Sequence, residues 1–256
     1  MTIDRFHPDD RNAFVAFRPA ATERFYGIIN GIAERLHVEV EGIEHIPKGR
    51  ALFVANHSFG WDVGFAMGAI WRDTRRPVWA LGDHVWWKVP FIRRLVAAVG
   101  TVDGTTENVD RLLSQDELVL VLPGGLREAV KPRDLRYRLL WGNRYGFVRA
   151  SIRNQAPILP LAAIGADDLF DFVGNAYRRG ERWLRGTGIP IPLPSRILPI
   201  PHLVRLRFVV GEPIEPPAPP AKADDERTLR RFRHEIEGAL HEMIETELAR
   251  RVGIEL

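Results

Sequence analysis

The chain reads as one α/β domain built on a mixed, largely parallel sheet flanked by helices. Three observations predict this. Short apolar runs alternate with segments of helical period, the pattern of repeated strand and helix units. The runs ALFVA (51–55) and ELVLVL (117–122) are apolar almost throughout, as strands covered on both faces require. The chain has 256 residues, of which 45% are hydrophobic and 27% charged, enough for one sizeable core.

The elements follow in order. Ala21 to Leu36 predicts a helix with Phe25, Ile28, Ile29, Ile32 and Leu36 along one side. Ala51 to Ala55 is the first strand. Asp62 opens a helix to about Trp71, with its carboxylate favourably placed in the first turn. Val78 to Leu81 predicts a strand and Val89 to Val99 a helix. Thr105 suits the cap of a helix over Thr106 to Leu113, and Glu117 to Leu122 is the next strand. Tyr145 to Asn154 reads as helix, Ile158 to Ile164 as strand, and Leu203 to Val210 alternates like a late strand. The proline-rich link EPPAPPAKADD ends in cap residues and leads into a long helix, Glu226 to Arg250. Its stripe of Leu229, Phe232, Ile236, Leu240, Met243, Ile244 and Leu248 is a face made for packing. The expected organisation is a helical segment at 1–37, a central domain at 38–217, and a C-terminal helix at 218–256 packed on that domain.

Composition narrows the chemistry. Cysteine is absent, which excludes a disulfide, a thiolate metal site and a cysteine nucleophile. The formal net charge is +3, and the cations are almost all arginine, with lysine only at Lys48, Lys88, Lys131 and Lys222. Arginine suits phosphate because its planar fork binds two oxygens at once. No stretch reaches the ~18–20 apolar residues of a membrane-spanning helix. The N-terminus, MTIDRFHPDDR, is polar and acidic, unlike a signal peptide. The chain is therefore expected to be soluble or to lie on a membrane surface. Asp83-His84 lacks the further ligands zinc takes, and His241-Glu242 is followed by Glu245 where a zinc motif has histidine. No metal is expected, and no nucleic-acid motif is present. The sequence sets no oligomeric state.

Two stretches carry chemistry. In VANHSFGWDVGF (54–65), His57 lies just past a strand end and Asp62 in the first turn of the next helix. The carboxylate can turn back to accept one imidazole N–H, which fixes the tautomer and leaves the other nitrogen as a base. This is the base and orienter of a catalytic triad without its serine. Ser58 adjoins His57, a poor geometry for a relay, and no G-x-S-x-G elbow exists. A base acting directly on a substrate hydroxyl fits; a capping aspartate beside a partly buried histidine is the plainer alternative. In VLPGGLREAV (121–130), Gly124 and Gly125 follow a strand and precede Arg127 and Glu128. Backbone N–H groups there are placed for an anion or an oxyanion, although P-G-G alone is also an ordinary tight turn.

Together the two stretches resemble the glycerolipid acyltransferases. Asn56, His57 and Asp62 match the N-H-x4-D motif, and Leu122 to Glu128 stand where that family has F-P-E-G-T-R. Arg127 falls on the family arginine, while Gly124 replaces the glutamate. The form P-G-G-x-R-E-A is similar to the diacylglycerol-acyltransferase-like branch, as is RYGFVRASIRNQAPILPL (144–161), and GEPIEPP (211–217) resembles a common ending of the family. In GTVDGTTENVDRLL (100–113), Gly104 follows Asp103 where phosphate-acceptor enzymes carry arginine. The resemblance spans roughly residues 38–217 and implies an acyltransferase-type fold. It also implies an O-acyltransferase with His57 as base and Asp62 as its orienter. Asn56, Gly124, Gly125, Arg127 and Glu128 would bind substrate. The co-substrate would be acyl-CoA or acyl carrier protein, with no cofactor, and the acceptor a glycerolipid or related lipid alcohol. The loss of arginine at 104 favours a neutral or bulkier alcohol over a phosphate-bearing acceptor. A non-catalytic lipid-binding protein and an acyl-thioester hydrolase remain the alternatives. The same resemblance implies a cytoplasmic protein peripheral to the inner face of a membrane. Val85–Val99, with Trp86 and Trp87, and Arg182–Pro201 are the segments suited to membrane contact, unless they simply pack in the core.

Overall fold

A computed structural model describes residues 19–58, 61–83, 96–169, 172–175, 192–194 and 204–253. Most of the two segments expected at a membrane, Val85–Val99 and Arg182–Pro201, lies outside these residues. So does most of the helix expected at Val89–Val99, of which 96–98 are helical.

The sheet has seven strands: β1 (Glu39–Glu41), β2 (Ala51–Ala55), β3 (Val78–Gly82), β4 (Thr101–Asp103), β5 (Leu118–Val121), β6 (Ile158–Ile164) and β9 (Arg207–Val210). A separate two-stranded sheet pairs β7 (Phe172–Asn175) antiparallel with β8 (Pro192–Pro194). The helices are α1 (Pro19–Arg35), α2 (Trp61–Thr74), α3 (Thr106–Ser114), α4 (Gly125–Ala129), α5 (Gly146–Asn154) and α6 (Glu226–Arg251). Strand order is β1-β9-β6-β2-β5-β3-β4. The five strands from β6 to β4 are parallel, while β9 runs antiparallel to β6 and carries β1 parallel to itself.

Strand β2 lies at the centre and is buried along its whole length. Its side chains alternate between two cores, as the strand period requires. Ala51, Phe53 and Ala55 join the core under α1 and α2, and Leu52 and Val54 join the core under α3, α5 and α6. Pro160 in β6 gives the ladder no N–H; it precedes the pairing with β9, which starts at Leu161, and its carbonyl accepts from Gly211 at 2.8 Å.

Local signals set the helix ends. The Thr105 hydroxyl accepts from the Asn108 amide at 3.2 Å and starts α3. The Asp225 carboxylate accepts from the Thr228 amide at 2.9 Å and starts α6. Helix α6 buries Leu229, Phe232, Ile236, Leu240 and Ile244 against the domain. Helix α1 keeps Phe25, Ile29 and Ile32 of the expected stripe against the core but turns Ile28 and Leu36 outward. Tyr26, Ile29 and Ala33 are buried, while Ile28 is 64% exposed and Leu36 37% exposed. The reason is the partner: the Tyr26 ring lies 5.5 Å from that of Trp71 on α2, and the Thr22 hydroxyl donates to the Ala98 carbonyl.

Candidate active site

Parallel strands end in loops along one edge of the sheet, where ligands of open α/β sheets bind. Strands β2 and β5 pair in register, with Val54 opposite Val121. His57 and Gly124 therefore leave the same edge side by side, each three residues past that pair.

The His57 Nδ1 lies 2.9 Å from Asp62 Oδ2. The same oxygen accepts from the Ser58 amide at 2.6 Å, so one carboxylate holds both the ring and the backbone after it. The side chain of Asp62 is 3% exposed and that of His57 12%. The Nε2 has no hydrogen-bond partner among the described residues. Burial lowers the basicity of His57, but the charge and hydrogen bond of Asp62, with the charge of Glu128, overcome it and hold the imidazole pKa above its usual value. The Ser58 hydroxyl donates to the Ala166 carbonyl at 2.9 Å and takes no part in a relay.

The other expected site residues divide sharply. Asn56 is fully buried, and its amide exchanges two hydrogen bonds with the Ala163 backbone, at 2.9 and 2.8 Å. It ties the end of β2 to β6 rather than facing a ligand. Glu128 is also fully buried and faces inward. Its Oε1 accepts from the His57 amide at 2.8 Å and its Oε2 from the Leu140 amide at 2.7 Å. Gly124 is needed for that arrangement. A Cβ placed there would overlap the Cβ, Cδ and Oε2 of Glu128. The carboxyl group of Glu128 thus fills the space a side chain at 124 would take, which accounts for glycine where the resembling family has glutamate. Gly125 adopts φ +54°, and its amide closes the turn onto the Leu122 carbonyl at 2.9 Å. That donor is spent on the turn and is not free for an oxyanion, contrary to the sequence expectation. Arg127 is exposed and does not line the cleft described next.

A cleft of about 340 Å³ opens on the α3/α5 side of this edge. Leu52, Leu81, Val109, Val121 and Phe147 give it an apolar floor and walls. Arg144, Arg149 and Arg153 line it as well. Arg149 pairs with Asp224 at 2.8 Å and Arg153 with Asp110 at 2.7 Å. Arg144 instead clasps the glycine turn: its Nη1 donates to the Pro123 and Gly124 carbonyls at 2.8 and 2.9 Å. Sequence reasoning assigned no role to Arg144, although its position two residues before Gly146 in RYGF was visible.

Beneath His57 lies a group of buried charges that the sequence did not announce. The Lys131 ammonium donates to the His57 carbonyl at 3.0 Å and pairs with Asp167 at 2.8 Å. Asp167 also accepts from the Tyr137 amide at 2.5 Å. Burial pushes the carboxyls of Glu128 and Asp167 upward against the pull of Lys131. Among the described residues, no three histidine or carboxylate side chains gather closely enough to hold a metal ion.

Comparison with known proteins adds the following. The family described as Acyltransferase matches residues 37–164. A mouse protein named as a DGAT1/2-independent enzyme synthesizing storage lipids is 30% identical over 186 residues, covering 69% of this chain and 52% of that protein. Its human counterpart is 30% identical over 178 residues, covering 69% and 53%. An uncharacterized protein of Mycobacterium leprae is 30% identical over 224 residues, covering 83% and 58%. The chain thus spans little more than half the length of these relatives. The crystal structure of the 1-acyl-sn-glycerophosphate (LPA) acyltransferase PlsC from Thermotoga maritima shares the fold, with TM-score 0.57 and 18% identity over 92% of this chain and 80% of that one.

Proposed function

The chain belongs to the acyltransferase family, and on that premise we propose that it moves a fatty acyl group from a thioester to a lipid hydroxyl. The observation that carries this reading is the His57–Asp62 pair, joined at 2.9 Å at the ligand-binding edge of the sheet and held by Glu128 just after the turn whose Pro123 and Gly125 line an apolar cleft. His57 Nε2 takes the proton of the acceptor hydroxyl. The oxygen attacks the thioester carbonyl, the C–S bond breaks, and the imidazolium returns its proton to the leaving thiolate. Asp62 holds the ring and stabilises the imidazolium between those steps. The cleft takes the acyl chain, and Arg144 at the glycine turn meets the polar end of the thioester. Acyl-CoA or acyl carrier protein is the donor, and no cofactor enters.

The acceptor we favour is a neutral lipid alcohol. Gly104 borders the cleft, and a Cβ there would come within 3.2 Å of the Gly82 carbonyl. A phosphate-binding arginine at 104 would press on that carbonyl. The relatives named for storage-lipid synthesis point the same way. No helix among the described residues is long and apolar enough to cross a membrane, and substrates of this class bring the enzyme to a membrane surface, which we place on the cytoplasmic side.

The test is thiol release from palmitoyl-CoA by wild type and His57→Ala, with lysophosphatidic acid, monoacylglycerol, diacylglycerol, a long-chain alcohol or no acceptor. Release that needs both His57 and a neutral acceptor is expected. Release without acceptor would make the protein a hydrolase. Lipid binding without release from either CoA or carrier-protein thioesters would make it a binding protein.

A further inference from the structure

We propose that Glu128 is a positioning residue that sets the catalytic base, acting with Lys131 as a clamp on the His57 peptide. The inference rests on the acyl-transfer reading above. His57 lies just past the end of β2, where the sheet ladder no longer fixes the backbone. Something else must fix it, because a misplacement of ~1 Å at a reacting group costs ~10²-fold. The described contacts provide this on three sides. Asp62 holds the ring Nδ1 at 2.9 Å, Glu128 accepts from the residue's N–H at 2.8 Å, and Lys131 donates to its C=O at 3.0 Å. Two of these three contacts come from buried ionisable groups one helical turn apart, in the single stretch PGGLREAVK. Burying a carboxylate and an ammonium is costly, and hydrogen bonds to ordinary backbone groups do not call for it. A fixed, charged grip on one peptide does.

The second oxygen of Glu128 extends the argument. It accepts from the Leu140 amide at 2.7 Å, in the loop that leads to Arg144 on the cleft wall. One carboxylate thus ties the base to the wall against which substrate would lie. Lys131 in turn is anchored by Asp167, whose other oxygen holds the Tyr137 amide of that same loop. Among the described residues, the ionisable groups that face His57 are Asp62 from α2, Glu128 from α4 and Lys131 just after α4.

The geometry also shows how the residue's role can be separated from mere packing. A side chain at 124 and that of Glu128 compete for one space. Two single bonds span ~2.5 Å, so a glutamate rooted at 124 has the reach to place its carboxyl in that space once residue 128 is cut back to glycine. The decisive variants are Glu128→Gln, Gly124→Glu, and the transposition Gly124→Glu/Glu128→Gly. Turnover is read as kcat per folded molecule, checked by thermal unfolding, and the His57 ring is followed by long-range 1H–15N NMR. Glu128→Gln keeps the shape but loses one of two acceptors. It is expected to lower kcat ~10²-fold with KM little changed, and to move the His57 ring titration to lower pH. Gly124→Glu alone is expected to fail through overlap, and the transposition to recover kcat to within ~10-fold of wild type and the original ring titration. Folded Glu128→Gln with wild-type kcat and an unmoved ring titration would overturn the proposal. So would a transposed variant that regains thermal stability without regaining turnover. Should the wild type transfer no acyl group, the acyl-transfer reading fails first, and the ring titration alone still decides whether Glu128 positions His57.

Discussion

The two faces of the sheet are built from the same strands yet end differently at the ligand-binding edge. On the α1/α2 face the space beside Asp62, among Ala55, Asn56, Ala66, Leu120 and Phe208, has no room for a water molecule. On the α3/α5 face the cleft measures about 340 Å³. Strand β2 alone shows how: Phe53 fills one side, while Leu52 floors the opening on the other. The sealed face holds the aspartate in a dry, rigid setting, where its charge acts strongly on His57. The open face leaves room for a chain. Rigidity for the base and volume for the substrate are thus assigned to opposite sides of one five-residue strand.

The sharpest way to break this division is to remove the base. His57→Ala is expected to lower acyl transfer by ~10²–10⁴-fold, with only a modest drop in unfolding temperature, because Asp62 keeps the Ser58 and Val63 amides as donors. A variant that unfolds instead would mean that His57 is a packing residue. Asp62→Asn comes next. It removes the largest influence that raises the His57 pKa. Activity needs the neutral imidazole, so it falls as pH drops through that pKa. The acid limb of the pH–rate profile lies above the ordinary value of ~6.5 in wild type and should move to lower pH in Asp62→Asn, with a drop in kcat of at least ~10²-fold. An unmoved limb would detach the limb from His57.

Phe53→Ala tests the sealed face in the other currency. It removes a fully buried ring and should cost ~3–5 kcal/mol of stability while leaving kcat per folded molecule nearly unchanged. Chemical denaturation beside the thiol-release assay measures both. Arg144→Ala tests the open face and should raise KM for the acyl thioester roughly tenfold, with Arg127→Ala much weaker, since Arg127 is exposed and does not line the cleft. Equal effects would return the anion-binding role to Arg127.

Much of this architecture is legible in the sequence because burial on both faces leaves an apolar run with no alternation. That is why β2 and β6 stand out. Strand β1 does not, because Glu39 and Glu41 flank one valine. Those acids are held by Arg207, which contacts Glu39 and Glu41 at 2.5 Å each and Glu247 at 2.6 Å. The ion pairs that stabilise this edge come from the far end of the chain, beyond any local window. His57 and Asp62 are legible for the opposite reason: strand end and first helical turn lie five residues apart. Asn56 and Glu128 belong to the same motifs, yet their side chains turn inward to backbone groups of Ala163, His57 and Leu140. A motif records which residues matter and is silent on which way they face. Lys131 offered one faint signal, a rare lysine one turn after Glu128 in an arginine-rich chain. Its partner Asp167 could be found only once the fold had brought them together.

The smallest expected effect is the most selective. Val121 is half-buried at the end of β5 and lines the cleft. Val121→Phe should therefore grow into open volume rather than into the packed core, and unfolding should change little. If the cleft holds the acyl chain, the ring takes the place of its last methylenes. Each buried methylene is worth ~0.8 kcal/mol, so excluding two costs ~1.6 kcal/mol, or roughly tenfold in kcat/KM. That loss should fall on long-chain thioesters and spare short ones, which never reach the floor. A series of acyl-CoA lengths measures it directly. A loss equal at every length would place the chain elsewhere, and the cleft would then serve the head of the donor, beside Arg144, rather than its tail.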